Sequence, residues 1–118
     1  MSLIIVEQDM SNNFETDWIR IIKYDNKLKS LKKLKSIQIK YRDLAFNNPY
    51  PIGGEIIFNY SNHYDFISIL DTLSIDTNNQ STNTLIYYVR PNFNFIKVKY
   101  KKNDIVSGFI SLAAGYDI

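Results

Sequence analysis

The sequence lacks several of the residues on which common kinds of site depend. It contains no cysteine, which excludes a disulfide, a thiolate metal site and a cysteine nucleophile. Alanine, the best helix former, occurs only three times, and histidine occurs once. No apolar run approaches the roughly 20 residues that a membrane-spanning helix needs. Residues 1–7 lack the basic region of a signal peptide, so we expect no membrane partner and synthesis in a cytoplasm.

The charges are few in sum but unevenly placed. The net charge is +2, yet residues 1–17 carry four acids and no base. Residues 20–42 carry nine Lys or Arg against Asp25 alone, and residues 97–102 add four lysines. We interpret residues 1–17 as an acidic N-terminal arm that a partner could order, and residues 18–118 as a single β domain.

Short segments that alternate between apolar and polar residues dominate the chain, with turn residues between them. This pattern predicts an all-β fold, a compact antiparallel β-sandwich or barrel of seven to eight short strands. In three of the segments the alternation predicts which side chains face the core: Ile37, Ile39 and Tyr41; Ile56, Phe58 and Tyr60; Ile96, Val98 and Tyr100.

Four segments carry more specific expectations. The run 84–90 is apolar on both faces, which predicts a central strand, whereas the lysines along 95–101 suit an edge strand. Segment 27–35 has a leucine at every third position among lysines. It is a short helix or a hairpin tip with solvated lysines, or a dedicated basic binding patch. The polar run 76–83 predicts an exposed loop.

No constellation in the sequence indicates catalysis or a cofactor. His63 stands without a second histidine, and we interpret it as a loop residue. The loop 76–83 is rich in oxygen ligands but lacks the acidic spacing and glycine of a calcium loop. Gly53 and Gly54 precede a strand rather than a helix, so they indicate a turn and not a phosphate loop. We therefore expect no catalytic residue, no metal ligand, no cofactor and no enzymatic activity.

Lysines interleaved with tyrosines leave a nucleic-acid reading open. Small β-barrels hold single strands with phosphates on lysine and bases on aromatic rings. Here, however, the alternation directs Tyr41 and Tyr100 toward the core, away from the neighbouring lysines. Nucleic acid is therefore the less favoured partner. An inhibitor or immunity-type protein that acts by surface binding is a further alternative.

Residues 50–54 read Tyr-Pro-Ile-Gly-Gly and lead into an apolar strand. They are followed in order by an aromatic with paired isoleucines, an aromatic-rich arm, a basic arm and a closing apolar strand near a glycine, at 66–70, 85–90, 95–101 and 109–116. In this motif and this order, residues 36–118 resemble the small capsid decoration (auxiliary head) proteins of tailed bacteriophages, whose chains carry a Tyr-Pro-x-Gly-Gly segment before an apolar strand.

The resemblance implies a non-enzymatic structural protein on the exterior of a virion. Such a protein binds the major capsid protein of a phage head, cements neighbouring coat subunits and can form a homo-oligomer on the lattice. Among the residues here, we expect partner contacts at the turn, by Tyr50 and Pro51, and at four lysines that offer exposed charge: Lys29, Lys32, Lys33 and Lys35.

Overall fold

The chain forms two antiparallel β-sheets that enclose one hydrophobic core. This computed structural model describes residues 2–63, 69–75 and 82–117. Within them there is no helix, and so none that could cross a membrane. The strands are β1 (Ser2–Asp9), β2 (Phe14–Glu15), β3 (Ile19–Arg20), β4 (Ile22–Asp25), β5 (Ser30–Phe46), β6 (Gly54–Ser61), β7 (Ile69–Ser74), β8 (Thr82–Tyr88), β9 (Phe95–Lys102) and β10 (Ile105–Asp117).

In each sheet, two separate strands pair one after the other with the same edge of a longer strand. Sheet A has the order β1-β10-β5, and β4 and β8 pair in succession with the far edge of β5. Sheet B has the order β7-β6-β9, and the short strands β2 and β3 pair with the far edge of β9. The predicted all-β class and compact antiparallel sandwich or barrel are confirmed. In the described residues, eight strands have four or more residues, and β2 and β3 have two each.

The predicted core faces of β5, β6 and β9 are confirmed. Each of these side chains is 2% exposed or less: Ile37, Ile39, Tyr41, Ile56, Phe58, Tyr60, Ile96, Val98 and Tyr100. Burial of a large apolar side chain stabilises a fold by about 1.5–3 kcal/mol relative to its exposure. The burial of these side chains between the two sheets is therefore the main source of stability.

Two β-bulges keep one face of β5 toward the core along its whole length. One lies between Leu34 and Ser36 and the other between Arg42 and Ala45; at each, β5 has one more residue than β10. Asp43, in the second bulge, has the left-handed φ of 56° that such positions often adopt. Each extra residue reverses the alternation of inward and outward side chains. Side chains near both ends of β5 therefore face the core, as those at its centre do.

The chain crosses from sheet B to sheet A at Ile21, which is fully buried. Its N–H donates to the carbonyl oxygen of Asn94 at 2.9 Å, and its own carbonyl accepts from the N–H of Leu34 at 2.7 Å. The short strands on either side of Ile21, β3 and β4, therefore belong to different sheets. At Ile21 the chain thus turns from one sheet to the other, and its backbone hydrogen-bonds on both sides of the turn.

The positions of β8 and β9 in their sheets are the reverse of the prediction. Among the described residues, β8 pairs with β5 alone, so it is an edge strand of sheet A and not a central one. In contrast, β9 lies between β6 and the pair β2 and β3, so it is central in sheet B. The lysines of β9 point to solvent because they alternate with side chains that face the core. A central strand can therefore carry them as well as an edge strand can.

Segment 27–35 is part of a hairpin. β4 pairs with the start of β5 from Ile22 opposite Lys33 to Asp25 opposite Ser30, and residues 26–29 form the turn. The helical reading of its leucine spacing is wrong, whereas the hairpin reading is confirmed. Leu28 and Leu31 are more than half exposed, and only Leu34 enters the core.

Residues 1–17 contribute a strand to each sheet. β1 pairs with β10, β2 pairs with β9, and Met10 between them is fully buried. The carbonyl of Met10 accepts from the Tyr100 hydroxyl at 2.9 Å. The boundary that the charge pattern placed after residue 17 does not coincide with a structural one. That a partner orders this segment stays a prediction.

Gly54 opens β6 with a φ of 104°, as the turn reading of the paired glycines expected. A Cβ at this position would lie 2.6 Å from the carbonyl oxygen of Lys101. Glycine is thus required by both conformation and space. Of the loop expected over 76–83, residues 82 and 83 lie in β8 instead, and residues 76–81, with the calcium alternative, lie outside the described residues. Residues 66–68 of the segment 66–70 also lie outside them.

Candidate functional site

The tip of the β4–β5 hairpin is fixed by Asp25. One oxygen of this carboxylate accepts from the N–H of Lys27 at 2.9 Å and from the N–H of Leu28 at 3.1 Å. The Leu28 hydrogen bond is the main reason why the pKa of Asp25 lies below its ordinary value. The carboxylate therefore stays ionised and holds the turn.

The four lysines expected to contact a partner do not share one surface. Lys29 is exposed at the tip, where its φ is 50°. Lys33 lies on the outer face of sheet A, and Lys35 is exposed at the adjacent bulge. Lys32 lies on the opposite face, 3.6 Å from Asp25. Lys29, Lys33 and Lys35 thus lie at the tip of the hairpin or on its outer side, and Lys32 lies on the other side.

Lys32 has a structural environment of its own. Its ammonium lies 4.6 Å from the ring centroid of Tyr116, and that of Lys23 lies at the same distance. An aromatic ring between two cations stabilises both when they are partly desolvated. This lysine is therefore held by its own chain and is a weaker candidate for a contact than Lys29, Lys33 or Lys35.

The turn between β5 and β6 lies at the other end of β5. Tyr50 is 89% exposed, and its N–H donates to Asn48. Pro51 is half-buried. Asp104, in the turn between β9 and β10, accepts the N–H of Ile52 at 2.7 Å through its carboxylate and donates its own N–H to the Ile52 carbonyl at 2.8 Å. The turn thus presents an exposed ring on a fixed backbone.

The lysine group and the Tyr50 turn lie near opposite ends of β5. Lys29 directly precedes this 17-residue strand, and Lys32, Lys33 and Lys35 lie in its first six residues, whereas Tyr50 and Pro51 follow its end. The expected contact residues therefore form two separate groups along the chain.

A strip of exposed apolar side chains on the outer face of sheet A was not predicted from the sequence. Tyr24 lies opposite Leu31, Ile22 opposite Lys33, Tyr88 opposite Ser36 and Ile86 opposite Gln38. Residues opposite each other in a ladder share a face, and Ser36 and Gln38 alternate with the buried residues of β5. We call this surface the sheet A strip and define it by Ile22, Tyr24, Leu31, Ile86 and Tyr88.

All five side chains of the sheet A strip are exposed, from 42% at Ile22 to 74% at Tyr88. The signal in the sequence was the apolar character of both faces of residues 84–90. That character predicts burial on both faces, but in the described residues no layer covers the outer face of sheet A, so Ile86 and Tyr88 are exposed.

The lysines of sheet B have different surroundings. Lys97 and Lys99 lie 3.8 Å and 3.7 Å from the carboxylate of Glu15 in β2. Lys97 also lies 4.9 Å from the ring of Trp18, and Lys101 is opposite Glu55 in the ladder but forms no ion pair with it. The charges of Lys97 and Lys99 are thus compensated within the chain.

A polar network joins the two sheets near β7 and β8. The Tyr87 hydroxyl donates to Asp71 at 2.6 Å, and it also contacts the Tyr60 hydroxyl. The Arg90 guanidinium donates to both carboxylate oxygens of Asp71, at 2.8 Å and 2.7 Å. The backbone N–H of Arg90 donates to the Tyr60 hydroxyl at 3.0 Å. The Tyr87 ring stacks on Phe58 with centroids 3.7 Å apart.

The protonation states of this network suit a structural link. Hydrogen bonds from Arg90, and then from Tyr87, hold the pKa of Asp71 below its ordinary value. Burial is the main cause of the raised pKa values of Tyr60 and Tyr87. The carboxylate is therefore ionised and the phenols neutral over the ordinary pH range. Each carboxylate oxygen already accepts a charged hydrogen bond, so the arrangement fixes one sheet against the other.

His63 lies exposed at the end of β6, and its N–H donates to the Ser61 hydroxyl at 2.9 Å. Across residues 2–63, 69–75 and 82–117, no group of three or more histidines and carboxylates lies close enough to hold a metal ion. Compared with known proteins, the chain matches no family model, no curated protein and no solved structure.

Proposed function

We propose that this chain is a non-enzymatic structural protein that binds the outer surface of a phage capsid and cements neighbouring coat subunits. The observation that carries the proposal is that its two exposed contact regions, the lysine-bearing hairpin and the Tyr50 turn, lie at the two ends of the 17-residue strand β5. A molecule with two separate contact regions can bridge two subunits of an array.

The arrangement of the strands makes the bridge stiff. A single strand, β5, connects the hairpin to the turn, and it is hydrogen-bonded along both edges to β10 on one side and to β4 and β8 on the other. Each attachment can be weak, because binding at one end raises the effective concentration of the other end at its own site.

The test is co-sedimentation of the purified chain with phage heads from its own source, both intact and stripped of the chain. Saturable binding to stripped heads at a fixed ratio to coat protein, with improved survival of the heads on heating, is the expected result. Failure to bind stripped heads would overturn the proposal.

A single-stranded nucleic-acid-binding function is the second candidate, and one observation favours it. Tyr24 and Tyr88 expose their rings on a face that also carries Lys33 and Lys40. Bases stack on such rings while lysines neutralise phosphates. Affinity for an oligo(dT) strand that falls steeply with rising salt, together with no binding to heads, would favour this function.

A further inference from the structure

The sheet A strip is continuous across two strands that do not pair with each other. Along one edge of β5, β4 begins at Ile22 opposite Lys33 and β8 ends at Tyr88 opposite Ser36. Val89, directly after β8, donates its N–H to the Lys35 carbonyl at 2.9 Å. The outward side chains of both strands therefore form one row. From Leu31 to Gln38 the row covers roughly 20 Å of β5.

The charge at the border of the strip is basic. Lys33 lies within it, Lys35 borders it at the bulge, and Lys40 follows on the same face. Among the described residues, no carboxylate forms an ion pair with any of these three lysines. Asp117 lies opposite Lys33 in the ladder, also without an ion pair. An apolar centre with a charged rim is the composition of a protein-binding surface.

We propose that the sheet A strip is the face by which this chain docks on an acidic protein surface with an apolar centre. The proposal rests on the proposed function and identifies the attachment face: the acidic surface is that of the coat subunits. Carboxylates of the partner would meet Lys33, Lys35 and Lys40, while its apolar residues cover the tyrosines and aliphatic side chains.

The chemistry of the strip favours this occupant over three others. Three of its five side chains are aliphatic, and these offer a nucleobase no stacking partner. The strip lies along paired strands rather than at the hairpin turn 26–29, whereas insertion into a lipid surface favours a protruding turn. A second copy docked by the same face would place lysines against lysines, which is unfavourable.

The experiment compares matched substitutions on the two outer faces in the head-binding assay. Leu31→Ser removes a leucine that is 62% exposed on sheet A, and Leu70→Ser removes one that is 56% exposed on sheet B. Tyr88→Ser and Lys33→Glu complete the sheet A set, with Lys99→Glu as the charge control on sheet B. Because all these side chains are at the surface, melting temperatures should change little, and they are measured for each variant.

We expect Tyr88→Ser and Leu31→Ser each to weaken binding to stripped heads by about tenfold, and Leu70→Ser to change it by less than about twofold. Lys33→Glu should weaken binding and reduce its salt dependence, whereas Lys99→Glu should do neither. If the wild type binds heads and the sheet A variants bind equally well, the docking face is wrong while the capsid function stands. If the wild type fails to bind heads, the capsid function is wrong and the proposed partner with it.

Two further probes test the alternative occupants with the same variants. They are an oligo(dT) strand and vesicles that contain an anionic phospholipid. Tight binding of either by the wild type, lost in Tyr88→Ser and kept in Leu70→Ser, would overturn the protein-docking assignment. No binding to either probe, with loss of head binding in the same variant, supports it.

Discussion

Lysines lie on the outer faces of both sheets, but their neighbours differ. In sheet B, Glu15 lies within 4 Å of Lys97 and Lys99, and Trp18 packs against Lys97. In sheet A, Lys33 lies beside exposed Ile22 and Tyr24, and no acid of the described residues pairs with it. Lys97 and Lys99 thus have an ion-pair partner within the chain, whereas Lys33 lies beside exposed apolar side chains without one in the described part of the chain.

This difference separates structural lysines from candidate binding lysines. Both groups have similar sequence patterns, because a lysine that alternates with apolar residues predicts only that it faces solvent. The compensating acid on sheet B comes from β2, more than 80 residues away from its lysines in the chain. Only the fold shows which lysines have an acidic partner within the chain.

The largest effect should come from truncating the core beneath the compensated face. Ile96→Ala in β9 should lower the free energy of unfolding by about 2–5 kcal/mol, because the side chain is fully buried. Leu31→Ala in the hairpin is the matched control and should cost about 0.5 kcal/mol or less, since that side chain is mostly exposed. Urea denaturation measures both. Equal costs would mean that the hairpin is packed as tightly as the core.

Breaking the link between the two sheets should have the next largest effect. Asp71→Asn should cost about 1 kcal/mol at neutral pH, a modest value because the Arg90 side chain is about half exposed and solvent screens the pair. The pKa of Asp71 is lower in the folded chain than its ordinary value, so its contribution is complete above that value. It is lost as the pH falls through the folded pKa.

Denaturation of the wild type and the variant over an acidic pH series checks this prediction. The difference in free energy of unfolding between them should shrink on acidification. A difference that stays constant down to about pH 2 would show that the charge of Asp71 does not contribute.

Removing the compensating acid of sheet B should have a smaller effect. Glu15→Gln leaves Lys97 and Lys99 without their ion-pair partner and should cost about 0.5 kcal/mol at low salt. Near about 1 M salt the cost should vanish, because screening removes interactions between exposed charges. Thermal melting at the two salt concentrations provides the measurement. A salt-independent loss would point to a packing defect in β2.

Adding a compensating acid to sheet A should affect stability least. Ile22→Glu places a carboxylate opposite Lys33, where it can form the ion pair that sheet B already has. Because Ile22 is 42% exposed on the outer face, stability should change by about 0.5 kcal/mol or less. Head binding should nevertheless be weakened. A variant with unchanged head binding would show that the open charge is not used.

The sequence was most informative where its signals are local. The alternation around Ile37, Ile56 and Ile96 predicted which faces enter the core, because side chains in a strand alternate regardless of the partner strand. The paired glycines predicted the turn before β6 for a similar reason. Positive φ at Gly54 is a requirement of the backbone itself.

Strand order could not be predicted, because it depends on pairings distant in the chain. Residues 84–90 are as apolar as a central strand, yet β8 is at an edge, and its outer face supplies Ile86 and Tyr88 to the sheet A strip. The strip also draws residues from β4 and β5, which only the register places beside β8. Grouping the hairpin lysines by sequence missed that Lys32 faces the other side.

The position of β10 has a consequence for how the protein is made. β10 lies between β1 and β5, so these two strands can complete their sheet only after β10, which follows both of them in the chain, has left the ribosome. Until then, the inward faces of both strands are exposed to other nascent chains, and contacts between residues far apart in sequence form slowly. Aggregation during synthesis is therefore the main hazard for this fold, and conditions that slow translation should prolong it.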